Sequence, residues 1–276
     1  MSPDALAQFT ALARLPDEQL DLARAALLIA AVEHPGVDVD FYLRALDSLA
    51  RPIAERLRPE GRDDPLFCVN TLSQHLVDDL GFRGNTEDYY DPRNSCLNDV
   101  LQRRAGIPIT LSLVYVEVGK RCGVPLVGVG MPGHFLVRHR DVPDLFCDPF
   151  HGGILLSADE CAARFRDVTR GAMPWSAQHL APVGNRDFIA RMLRNLKGIY
   201  VQRDDFARAL GIMDRLVALL PGLPAERRDR GVTRYRAGWL EGAAEDLRAY
   251  LAAAPRAPDA DAVREMLAGL ERALGG

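Results

Sequence analysis

A chain of 276 residues has room for one large or two modest domains. Its apolar share of 48% is ordinary for a globular protein, and a net charge of −4 argues against wholesale nucleic-acid binding. No run approaches the ~18 consecutive apolar residues of a membrane span, and the start has no basic stretch leading into an apolar core and cleavage site, so a cytoplasmic protein with no membrane association is expected.

Residues 3–60 read as helices. Asp17-Glu18-Gln19 opens a stripe of Leu20, Leu22, Ala23, Ala26, Leu27, Ile29 and Ala30 that ends at Pro35-Gly36. Phe41 begins a second helix with Leu49 and Ile53 on its face and a kink expected at Pro52. Residues 64–83 form a third, stopped by Gly81, with Cys68 and His75 on one face but no further ligands spaced for a metal. The loop 84–92 then carries Tyr89 and Tyr90, which either line a substrate groove or anchor packing.

Asn94 and Ser95 are good N-caps, and Leu97-Asn98-Asp99-Val100-Leu101 continues with helical spacing. Cys96 is therefore expected in a first helical turn, where free N–H groups and the helix dipole favour a thiolate with a pKa below the ~8.5 of a free thiol. Pro108 opens a helix over 108–122 that is apolar nearly all round, hence buried, with Glu117 and Arg121 paired on its outer side.

Strands follow at 125–131, 134–138, 145–148 and 153–156, predicting a small antiparallel sheet. His134 sits on the second strand and Asp148 at the end of the third, so adjacent strands can bring them together. Asp148 then fixes the tautomer of His134, and His134 draws the proton from Cys96. His139 and His151 compete for the base role; His139 faces the other way or lies in the turn, and His151 shapes the loop or lines the site.

Ser157-Ala158-Asp159-Glu160 is a capping box for the next helix. Residues 171–184, with Pro174, Trp175, Pro182 and Gly184, read as a linker or lid. Beyond them, Pro221 and Pro255, Ala209 and Ala243, and Met213 and Leu247 are each separated by 34 residues, the tetratricopeptide period. Helices are expected near 186–200, 204–219, 225–238, 240–253 and 259–273, with Tyr235 and Trp239 packed inside the array.

The string Asn94-Ser95-Cys96-Leu97-Asn98-Asp99-Val100-Leu101 with Arg104, Gly106-Ile107-Pro108-Ile109 and Leu111-Ser112, then Gly130, Pro132-Gly133-His134-Phe135 and Asp148-Pro149-Phe150, resembles the transglutaminase-like superfamily, whose core is papain-like. Within it the chain looks like the bacterial branch named after an invasion regulator (Sir B), which joins this core to C-terminal tetratricopeptide repeats. The fold class expected is α+β: a helical N-terminal layer and a papain-like core over 1–180, then an all-α repeat tail over 185–276. The resemblance implies a Cys96–His134–Asp148 triad for acyl transfer, as in a protease, amidase, deamidase or crosslinker.

The backbone N–H of Cys96 and the Asn94 side chain are the expected oxyanion donors, with Tyr89, Tyr90 and His151 as substrate-lining candidates. The five cysteines, Cys68, Cys96, Cys122, Cys147 and Cys161, show no C-x-x-C spacing; no disulfide framework, metal or other cofactor is expected. A peptide or protein is the expected substrate or partner. Two alternatives stand beside catalysis: a catalytically silent scaffold whose repeats recruit a partner, and a redox sensor built on Cys96.

Overall fold

The fold is that of a computed structural model, which describes residues 3–57 and 63–275. It divides into two compact units, one of residues 16–192 and one of residues 1–15 with 193–276. The expected division lay between 180 and 185; the one observed falls inside the helix Asn185–Gln202, and the first helix goes with the tail.

In the larger unit, aspartates start the first three α-helices. Asp21 caps α2 (Leu22–Ala30), Asp38 caps α3 (Val39–Arg56) and Asp64 caps α4 (Pro65–Ser73), each accepting a backbone N–H of the first turn. The short side chains of α2 are buried from Leu22 to Ala30, Arg24 excepted. The N-terminal helical stretch was expected to run to residue 60, and its last residues, 58–60, lie outside the described ones. α4 relaxes into a π turn over Gln74–Asp79.

Two-residue strands β1 (Arg83–Gly84) and β2 (Ala105–Gly106) pair in parallel and bracket a 3-10 turn at Pro92–Ser95 and α5 (Leu97–Arg103). α6 (Pro108–Cys122) is buried along nearly its whole length, as its all-round apolarity predicts.

The sheet is an antiparallel meander of β3 (Leu126–Val129), β4 (Leu136–His139), β5 (Phe146–Asp148) and β6 (Ile154–Leu156), in that order. Registers such as Val129 to Leu136, Val137 to Cys147 and Asp148 to Ile154 fix its side chains. Val129, Leu136, Phe146 and Leu156 share one apolar cluster with Cys161 and Phe165 of α7 (Ala158–Thr169). Leu180 joins that cluster, Trp175 packs on it, and Val183 donates its N–H to Gly128. Residues 175–183 are thus packed chain, where a linker or lid was expected; the aromatic and leucine side chains supply the reason.

Three other expectations change. His134 precedes β4, because the turn at Pro132-Gly133, with Gly133 at φ 75°, delays the strand. Glu117 pairs with Arg121 as expected but is buried, its carboxylate held by the guanidinium in the α6 wall. Trp239 and Tyr235 are 57% and 47% exposed; Trp239 is the N-cap of its helix, just past the left-handed Gly238, and points away from the array interior.

In the other unit, α1 (Pro3–Ala13) lies with α9 (Phe206–Leu219), where the Arg215 guanidinium stands over the Phe9 ring at 5.9 Å. The chain enters this unit within α8 (Asn185–Gln202), and α10 (Pro224–Arg236), α11 (Leu240–Ala253) and α12 (Ala260–Leu274) complete the helical hairpins. Gly231 lets α11 approach, since a Cβ there would meet Leu247 at 2.9 Å. Asp246, almost fully buried, is held by Arg230 and Arg234.

Candidate active site

β5 ends on Asp148, and this one carboxylate organises the corner that follows. Its Oδ1 accepts the backbone N–H groups of Phe150 (3.1 Å) and His151 (3.2 Å), capping the turn Pro149–His151. Its Oδ2 lies 2.8 Å from His134 Nε2, 2.9 Å from His151 Nδ1 and 2.9 Å from the Arg164 guanidinium. No part of the Asp148 side chain is exposed. Burial alone would favour the neutral acid, but the His134 hydrogen bond and the charges of His134 and His151 outweigh it and hold the carboxyl below its usual range.

His134 is set from both sides. Its N–H closes the Pro132-Gly133 turn onto Met131, and Arg191 from α8 donates to the carbonyls of both Met131 (2.7 Å) and His134 (2.8 Å). Phe150 stands edge-on to the imidazole at 6.2 Å, and Tyr89 stands edge-on to Phe150 at 6.1 Å. With Nε2 given to Asp148, Nδ1 is the ring nitrogen left to take a proton.

Cys96 is the N-cap of α5, one position before the expected first turn, and its own N–H is spent on the Arg93 carbonyl at 3.3 Å. Burial pushes its thiol well above the ordinary range, and the charges of Asp99, Glu33 and Asp91 push the same way. Both act against the depressed thiolate pKa expected for a first-turn cysteine. A seven-residue helix offers little dipole, and the surrounding charges are acidic. No hydrogen bond among the described residues joins Cys96 to His134.

The residues flanking Cys96 divide into satisfied and unsatisfied groups. Asn94, fully buried, donates its amide to the carbonyls of Asp88 (2.6 Å) and Tyr89 (3.3 Å), and its Oδ1 accepts from Asn85 and Arg103. It clamps the tyrosine loop, so its amide is engaged where an oxyanion donor was expected. Tyr89 is partly exposed and Tyr90 largely so, the two rings meeting at 5.3 Å. In contrast, Ser95 Oγ and Asn98 Oδ1 are buried with no hydrogen-bond partner among the described residues. Beside them Asp99 pairs with His34 at 2.6 Å.

α6 ties the two halves of the site together. Thr110 donates its hydroxyl to the Asn94 carbonyl at 2.6 Å, and Ser112 to the Phe135 carbonyl at 3.5 Å. The backbone just before Cys96 and just after His134 is thereby pinned to one turn of one buried helix.

The structure brings His134, Asp148 and His151 into one cluster and places His139 at the far end of β4, where it accepts the Asp141 N–H. It adds Arg164 and Arg191, which sequence reasoning missed, and sets Phe150, known from the sequence only as part of the Asp148-Pro149-Phe150 string, against His134. Arg164 lies beside the buried stripe of α7, and nothing in its neighbourhood distinguishes it from a surface arginine. Ser95 and Asn98 were read as caps and helix formers; their missing partners are visible only in three dimensions.

Comparison with known proteins places these elements. The family model of the transglutaminase-like superfamily matches residues 40–194, and that of a tetratricopeptide repeat matches residues 196–268. A UPF0162 protein of Xylella fastidiosa (strain Temecula1) is 41% identical over 266 residues, covering 94% of this chain and 93% of its own. A UPF0162 protein of Pseudomonas aeruginosa is 32% identical over 212 residues, 75% of each chain. A shorter match, 39% over 102 residues, covers 34% of this chain and 16% of F-box only protein 21 of Mus musculus. No solved structure matches.

Proposed function

The chain belongs to the transglutaminase-like superfamily, alongside the UPF0162 proteins, and from that premise we propose that it is a cysteine-dependent acyl-transfer enzyme with Cys96 as nucleophile, His134 as base and Asp148 as the group that orients the base. The observation that carries this reading is the buried His134 Nε2–Asp148 Oδ2 contact of 2.8 Å, which presents Nδ1 as the proton acceptor and supplies a carboxylate for the imidazolium.

In this mechanism Cys96 Sγ attacks an amide or ester carbonyl while its proton passes to His134 Nδ1. The tetrahedral adduct then expels the amine or alcohol, which takes that proton back from His134, and leaves a thioester on Cys96. Water or an amine attacks the thioester, gives its proton to His134, and the Cys96 thiol is restored. A thiol held neutral by burial suits proton transfer in step with attack better than a preformed ion pair. The free chain has no Cys96–His134 hydrogen bond, so substrate binding brings the pair together. Ser95 Oγ and Asn98 Oδ1 are then polar atoms for a substrate amide to satisfy.

We assign the repeats to recruitment of a peptide or protein, and five buried cysteines kept out of disulfides support a reducing, cytoplasmic location. Among the described residues no helix is long and apolar enough to cross a membrane.

A second reading, a silent scaffold, is favoured by one observation: the burial of Cys96 among acidic side chains. An activated acyl ester separates the two. Enzyme action predicts a thioester mass increment on Cys96 that disappears in His134→Ala and in Cys96→Ala. No increment in the wild-type chain, or an increment indifferent to His134→Ala, gives the case to the scaffold.

A further inference from the structure

We propose that His134, Asp148 and His151 form a binding site for one divalent transition-metal ion of the zinc class, and that the guanidinium of Arg164 competes for the same place. One ligand atom from each of the three residues lies within 4.8 Å of the others. His134 Nε2 and His151 Nδ1 approach the same Asp148 Oδ2, at 2.8 and 2.9 Å. A tetrahedral ion with bonds of roughly 2.0–2.1 Å needs neighbouring ligands roughly 3.3 Å apart, so the two contacts to Asp148 open by about half an ångström and the two ring nitrogens, within 4.8 Å of each other, settle to the same spacing by side-chain rotation. Two imidazoles and a carboxylate are a donor set that suits zinc and leave a fourth position open.

A second observation points the same way. His151 Nδ1 lies 2.9 Å from Asp148 Oδ2 and 2.6 Å from an Arg164 nitrogen. A guanidinium only donates and an ionised carboxylate only accepts. A single ring nitrogen cannot accept from Arg164 and donate to Asp148 at once, so one of these contacts is always unmade. A metal ion in place of the guanidinium removes the conflict: both imidazoles present lone pairs, and the buried carboxylate keeps a cation. The route in lies on the His151 side, whose side chain is 46% exposed, while those of His134 and Asp148 are closed off.

Coordination through Nε2 leaves the His134 proton on Nδ1, the atom that the proposed base must keep free. Metal binding would therefore hold acyl transfer off. This consequence rests on the acyl-transfer reading; the binding itself does not.

The test uses the full chain, stripped with a chelator and titrated with Co²⁺ as the probe, with Zn²⁺ displacement followed by calorimetry. The expected result is one ion per chain with a four-coordinate ligand-field spectrum and no thiolate-to-cobalt band. His151→Ala, checked for an unchanged melting curve, should weaken binding by at least the ~10–100-fold that loss of a group merely hydrogen-bonded to a ligand costs. Arg164→Gln should tighten binding, and His34→Ala, which breaks the separate His34–Asp99 pair, should leave it unchanged. Binding that survives His151→Ala, a thiolate band, or silence from both the wild-type and Arg164→Gln chains would overturn the proposal. A chain that binds Co²⁺ but never acylates Cys96 upholds this site and sinks only the enzymatic reading; the reverse pattern does the opposite.

Discussion

Phe150 lies so close over Gly84 that a Cβ at position 84 would stand 2.6 Å from the Phe150 carbonyl oxygen and 2.7 Å from its ring. Gly84 is in β1, before Cys96, and Phe150 is in the corner after Asp148. This contact sets the height of the corner above the β1–β2 pair, and Phe150 passes it on to the imidazole of His134.

Gly84→Ala is therefore expected to push Phe150 outward. Overpacking of this kind costs about 1–3 kcal/mol, and the carbonyl is backbone that cannot rotate away. Thermal melts should show the loss of stability, and the rate of thioester formation at Cys96 should fall further than the melt alone accounts for. A variant as stable and as active as the wild type would show that the corner does not depend on this contact.

Ser95→Ala should act in the opposite direction on stability. The Ser95 hydroxyl is buried without a hydrogen-bond partner among the described residues, so its removal relieves a desolvation cost on the order of 1 kcal/mol. In a domain of this size that raises the melting temperature by roughly 2–4 °C. Acyl transfer should drop if the hydroxyl serves the substrate. A lower melting temperature would mean that the hydroxyl is satisfied in solution.

Thiol labelling tests the electrostatics at Cys96. Burial pushes Cys147 and Cys161 up to about 12 and raises Cys96 well above its ordinary range. Near pH 7 a thiol of pKa ~12 is ionised in only roughly one molecule in 10⁵. Iodoacetamide should therefore label all three slowly in the native chain, with rates that climb with pH and jump on unfolding. Fast labelling of Cys96 at pH 6–7, lost in His134→Ala, would instead reveal a preformed thiolate–imidazolium pair.

The helices and the four-strand meander were readable because their signals are local. Pro108, the Ser157–Glu160 capping box and the strand runs in 125–156 each act over a few residues. The 34-residue repeat was readable because the same spacing recurs at several positions of the chain. His134 and Asp148 could be paired from strand order, though the turn at 132–133 moved His134 off the strand. What stayed hidden depends on long-range packing. What raises the thiol of Cys96 is its burial by distant segments, to which the charges of Asp99, of Glu33 from far back in the sequence and of Asp91 add. Arg164 reaches Asp148 from the next helix and carries no local mark. Trp239 looked like core because it is large and apolar, yet a helix corner left it in solvent.

Acid bears on the repeat tail through Asp229. Asp229 on α10 lies 2.6 Å from the Lys197 ammonium and 2.7 Å from the Arg228 guanidinium. Its partial burial opposes ionisation, but the hydrogen bonds from Lys197 and Arg228 and their charges prevail, and the folded-state pKa is lowered. A lowered carboxylate pKa gives stability that is fully present above the unfolded value of ~3.9 and is lost as pH falls through the folded value. The tail should therefore weaken below about pH 4. Asp229→Asn removes this contribution and should cost about 1 kcal/mol at pH 7, a modest figure because the carboxylate is partly solvated and screened. Urea melts followed from pH 7 to pH 2.5 should show the two chains apart at neutrality and converging once Asp229 is protonated in both states. A constant gap across the whole range would mean that Asp229 acts through packing and not through its charge.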